Sequence, residues 1–176
     1  MENITVIKYQ ITAYAADFVC RGAIAVPSFR RLSDFINDAS SPFLMVDDAT
    51  SARWDGALFT ITAQHTGVIL NKPNLVAVMP ARDAPAPRPS PTEVVPKMPV
   101  PVKLLASPLL IEGHWNLARG VAWDRAMSVL RDEFLIITNA NLYYLRTNAR
   151  VEENLPVIFV KRSCIGLFQM SPSPKG

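Results

Sequence analysis

Residues on either side of a proline-rich stretch can be laid over one another, and this self-similarity limits the possible folds more than any other feature of the chain. At a separation of 91 positions, the run GAIAVPSFRRLSDFINDASSPFLMVDDAT falls without a gap on GHWNLARGVAWDRAMSVLRDEFLIITNAN. Gly22 meets Gly113, Phe43 and Leu44 meet Phe134 and Leu135, and Ala49 meets Ala140. Further on, with the separation reduced to 89, VILNKPNLVAVM falls on VIFVKRSCIGLF, so that Val68, Ile69 and Lys72 meet Val157, Ile158 and Lys161. Few residues are identical. Apolar positions nevertheless coincide through several predicted elements. The expected fold is α+β: two tandem, small, β-rich and barrel-like domains related by internal duplication, each running strand-helix-strand-strand-strand.

The predicted boundaries follow from composition. Residues 1–80 form the first repeat, 81–108 a proline-rich linker, 109–170 the second repeat and 171–176 an irregular tail. The stretch PARDAPAPRPSPTEVVPKMPVPVKLLASP holds most of the prolines and no glycine, which favours extended polyproline II and a semi-rigid tether. In the first repeat a glycine-bearing strand over about 15–26 leads past Pro27 to a helix with Ser28 as N-cap. That helix sets Phe29, Leu32, Phe35, Ile36 and Ala39 on one face. Trp123, Ala126, Met127 and Leu130 take the same places in the second. FLMVDDA and FLIITNA then read as short buried strands, and NKPN and VKRS as turns joining the last two strands of each copy. Each copy is small enough that packing on its twin or on another chain would add to its core.

Composition sets outer limits on function. Half the residues are apolar (49%), 19% are charged, and a net charge of +3 with pI near 9.0 permits contact with nucleic acid without arguing for it. No basic start followed by an apolar run suits a signal peptide, and proline or charge interrupts every apolar stretch before it could span a bilayer, so the expectation is a cytoplasmic protein with no membrane insertion. Cys20 and Cys164 are the only cysteines. Each sits in an apolar segment and reads as a core thiol, since two isolated thiols make neither a disulfide framework nor a zinc site.

The residues 21–49, RGAIAVPSFRRLSDFINDASSPFLMVDDA, resemble a small bacterial domain family of unknown function: a glycine strand, an RLSD-type helix and an FLxLxDA-type strand. That family implies domain boundaries and no activity. The order of elements is also similar to that of Sm-like small β-barrels, with LMVDDA matching the end of the first Sm motif and VIFVKRSCIGLF the second. The match departs from the family at its RNA-reading positions. Phe43 and Phe134 stand where the motif has its base-reading asparagine, and Lys72-Pro73 and Lys161-Arg162 stand where it has Arg-Gly.

Residues able to carry chemistry are few. His65 and His114 are the only histidines and fall at unrelated places in the two copies, which leaves no metal site and no nucleophile with its base. Asp47, Asp48 and Asp55 cluster after a strand, yet Thr138 and Asn139 replace the first two in the second copy, so strand-end capping and turn formation explain them better than acid-base work. No phosphate loop, nucleophile motif or coenzyme fingerprint occurs, so no enzyme, cofactor or metal is expected. Arg30, Arg31, Lys72, Arg146, Arg150, Lys161 and Arg162 form the basic set that a partner's carboxylates or a nucleic acid would meet, a solvated basic surface being the plainer reading. The sequence therefore points to a non-enzymatic interaction or scaffold subunit with a protein partner or a second copy of itself. Its alternative is a nucleic-acid-binding module with an Sm-like barrel.

Overall fold

The computed structural model describes residues 5–54, 59–84 and 96–170. The chain divides into two compact units, Met1–Pro87 and Arg88–Gly176. In the first, β1 (Val6–Ala15) and β2 (Phe18–Pro27) form a hairpin, a one-turn helix α1 (Leu32–Ile36) follows, and β3 (Phe43–Trp54) and β4 (Phe59–Asn71) make a longer hairpin. A 3₁₀ turn over Lys72–Asn74 then returns the chain into β5 (Leu75–Pro80), which pairs with β1. The second unit repeats this order as β6 (Lys97–Ala106), β7 (Leu109–Ala118), α2 (Trp123–Val129), β8 (Phe134–Tyr144), β9 (Ala149–Lys161), a 3₁₀ turn over Arg162–Cys164, and β10 (Leu167–Met170). Strand order is β5-β1-β2-β3-β4 in one unit and β10-β6-β7-β8-β9 in the other, with antiparallel pairing within each.

The structure departs from the sequence expectations in several places. The described residues are mostly strand, with two short helices and two 3₁₀ turns, and the antiparallel strand order is open, so the barrel-like closure is corrected. The glycine strand expected over about 15–26 is β2, which begins only at Phe18, after a turn at Ala16 and Asp17 that pairs it with β1; each unit thus has two strands before its helix where one was expected. The presumed linker contains a whole strand. Val100, Val102, Leu104 and Ala106 alternate along β6 and are all buried, which is the period of a half-buried strand. Pro99 and Pro101 are tolerated because β10 pairs with Val102–Leu105, so among the described residues no strand lies beside the prolines on that side of β6 to receive an N–H. The helix of the first unit is shorter than expected. Ser28 lies outside it, Arg31 is its N-cap, and of the predicted apolar face only Ile36 is buried while Phe29 is 77% exposed.

The core of the first unit lies on one face of its sheet, where Tyr9, Ile11, Ile24, Val26, Leu44, Val46 and Leu70 are all buried. Burial of each such side chain stabilises the fold by roughly 1.5–3 kcal/mol relative to exposure. Val102, Leu104, Ile111, Leu135, Ile137 and Ile158 form the corresponding layer of the second unit.

A shared bulge shapes both units. β2 pairs Arg21 with Thr50 and Ala23 with Asp47, so Gly22 alone faces Asp48 and Ala49. In the same way β7 pairs Glu112 with Asn141 and His114 with Thr138, leaving Gly113 opposite Asn139 and Ala140. Asp48 and Asn139 take left-handed backbone angles, φ 48° and 49°, which asparagine and aspartate adopt more readily than other side chains. A Cβ on Gly22 would stand 2.6 Å from the Asp47 carbonyl oxygen, and one on Gly113 would stand 2.6 Å from Ile137 Cγ2 and 3.0 Å from the Thr138 carbonyl oxygen. Only glycine lets the strands approach so closely.

Candidate interaction surface

The seven basic residues are scattered, and several are held by contacts inside the protein. Arg30 pairs with Asp38 at 2.8 Å, donates to the Asp34 carbonyl oxygen at 3.2 Å and lies 5.7 Å from the Phe35 ring. Lys72 is buried and its Nζ donates to the Asp38 carbonyl oxygen at 3.0 Å, so one residue just beyond α1 receives both cations. Hydrogen bonds from the Ser40 hydroxyl, from Arg30 and from the Ser40 N–H hold the Asp38 carboxyl well below the usual carboxylate range.

The second unit has an analogous anchor, which also corrects the alignment. The N–H of Lys72 bonds the carbonyl of Pro42, as that of Arg162 bonds the carbonyl of Glu133. The structural counterpart of Lys72 is therefore Arg162, at a separation of 90, and Lys161 corresponds to Asn71. Arg162 Nη1 donates to the Leu130 carbonyl just past α2, much as Lys72 does past α1. Lys161 is buried, bonds Glu133 Oε2 at 2.6 Å and sits 5.0 Å from the Phe134 ring. Arg150 pairs with Glu153 at 2.5 Å and lies 5.9 Å from the Tyr143 ring. Arg146 is exposed in the β8–β9 turn, and Arg31 is half-buried at the start of α1. The fold thus brings Arg30 and Lys72 together, and Lys161 with Arg162, while Arg31, Arg146 and Arg150 join neither pair.

No family model, curated protein or solved structure matches the chain.

Among the described residues no three His, Cys, Asp or Glu side chains gather where a metal could bind, and no helix is long and apolar enough to cross a membrane. Asp47 and Asp48 lie at the bulge, and Asp55 lies outside the described residues. His65 is exposed on β4 with Nε2 3.2 Å from Ser51 Oγ, and His114 is half-buried on β7. Cys20 is buried, and that burial raises the pKa of its thiol; Cys164 is half-buried.

The feature that the sequence did not reveal is apolar. Met45 opposes Ile69 across β3 and β4, with Phe43 two residues along the same face, and these side chains are 69%, 66% and 52% exposed respectively. β4 ends its strand order, so among the described residues no strand is bonded along its second edge. Its thirteen residues, FTITAQHTGVILN, include no lysine, arginine, aspartate, glutamate or proline. Natural edge strands are commonly protected by charge, proline or bulges. FLMVDDA had read as a buried strand because run length alone does not tell a strand buried on both faces from one with an apolar outer face.

Proposed function

We propose that this chain is a non-enzymatic interaction or scaffold subunit, made of two tandem copies of one β-rich module related by internal duplication, which binds its partner by strand addition along β4. One observation carries the reading: an unprotected, charge-free edge strand with Phe43, Met45 and Ile69 exposed beside it. Main-chain hydrogen bonds along such an edge supply affinity, and the alternate outward side chains supply selectivity. The duplication is supported by the matching strand order, by the paired glycine bulges and by the cation anchored past each helix. With only two cysteines, the chain is too poor in thiols for a disulfide framework, which suits a cytoplasmic setting.

The alternative, a nucleic-acid-binding module, has less support. Lys72, Lys161 and Arg162 are engaged with helix-end carbonyls or with Glu133, and a phosphate would have to compete for them. Native purification followed by size-exclusion chromatography with light scattering tests the preferred reading. The expected result is an assembly larger than the 19.4 kDa chain, reduced to a monomer by Ile69→Lys. A strict monomer with no co-purifying protein would overturn it.

A further inference from the structure

Corresponding residues of the two units differ in burial. In the first, all six residues of β5 are buried, and the outer face of β3–β4 is open at Phe43, Met45 and Ile69. In the second the pattern is reversed. Phe134 and Phe159, which correspond to Phe43 and Ile69, are 0% and 3% exposed, whereas β10, which corresponds to β5, leaves Leu167 46% exposed and Gln169 exposed. β10 also ends its strand order, and among the described residues no strand is bonded along its second edge. The chain therefore presents one open edge of each kind, β4 and β10.

We propose that the occupant of β4 is a second copy of this chain, which adds its β10 edge there head to tail; this rests on the interaction reading above and names its partner. The electrostatics match, since neither FTITAQHTGVILN nor LFQM bears a charged residue and joining them strands no ion. Area decides how far the contact must extend. A ladder of four residues falls well short of the ~800 Å² per partner of a stable interface, so the contact has to cover Phe43, Met45, Ile69 and Leu167 as well. Because the two edges differ, the contact is heterologous: each copy keeps one edge open for the next, and the assembly grows until its rotation closes a ring.

A mixing experiment tests this on the full chain. Ile69→Lys blocks the β4 face and Leu167→Lys blocks the β10 edge, both at exposed positions, and far-UV circular dichroism verifies that each variant keeps its strands. By light scattering, the unaltered chain is expected as an oligomer of three or more copies at sufficient concentration, and each variant alone as a monomer. An equimolar mixture of the two is expected to double in mass to a dimer, because each supplies the edge that the other lacks. If Leu167→Lys alone still forms a dimer, β4 pairs with itself and the head-to-tail arrangement is wrong. A monomeric unaltered chain that instead holds a different protein, released by Ile69→Lys, would overturn this inference while leaving the interaction reading intact. With no assembly and no partner, both fall.

Discussion

At Gly22 and Gly113 the missing side chain is what the fold requires. A methyl group at Gly22 would meet main-chain oxygen at 2.6 Å, and backbone cannot move aside as a flexible side chain does. Gly22→Ala and Gly113→Ala are each expected to lower stability by about 1–3 kcal/mol in urea denaturation. Gly67→Ala is the control. Its Cβ would find nothing nearer than 3.9 Å, so the substitution should be neutral or slightly stabilising. Across the bulge, Asp48→Asn should be silent and Asp48→Val should cost about 1–3 kcal/mol, because a β-branched residue resists φ near 48°. This motif was half legible. Aligned glycines pointed to a bend, and the exchange of Asp48 for Asn139 pointed to backbone geometry rather than chemistry, but the residue opposite each glycine depends on strand register. Asp38 gives a pH prediction. Its carboxyl is depressed in the folded state, so its contribution is present above the unfolded value of about 3.9 and is lost as pH falls below it. Asp38→Asn should therefore flatten the fall in unfolding midpoint between about pH 5 and about pH 2, measured by circular dichroism.

Among elements, the helices are the least self-sufficient. α1 has five residues and no side-chain N-cap bond, too few for an isolated helix, so tertiary anchors must hold it. Lys72 is one of them: Lys72→Met should cost about 1.5–3 kcal/mol by removing a charged donor from the Asp38 carbonyl, with urea unfolding as the measurement. Arg162→Met should act alike in the second unit. Neither anchor was readable from sequence, where both cations looked like surface charge. Their partners lie about thirty residues back along the chain, and the one-residue error in alignment paired Lys72 with Lys161. β6 was missed for a different reason. Its alternation at Val100, Val102, Leu104 and Ala106 was in plain view, but the density of prolines outweighed it. Leu104→Ala settles the assignment, since a buried core leucine costs about 2–5 kcal/mol and a tether residue costs nothing measurable.

On the scale of the molecule, the recurrence of one apolar pattern before and after the proline stretch was the most legible property, but the strand order was not, since one strand was expected before each helix and each unit has two. The sheet's open ends were the least legible. Whether an apolar strand residue faces core or solvent depends on which strand lies beyond it, and that is absent from any local pattern. Cys20 offers a way to watch the first unit breathe. A buried thiol whose ionisation is suppressed reacts with disulfide reagents only when its strand comes loose, so the pace of labelling counts openings of that unit in otherwise undisturbed protein. Half-buried Cys164 should react first, providing an internal clock against which every stabilising or weakening change in the first unit can be timed.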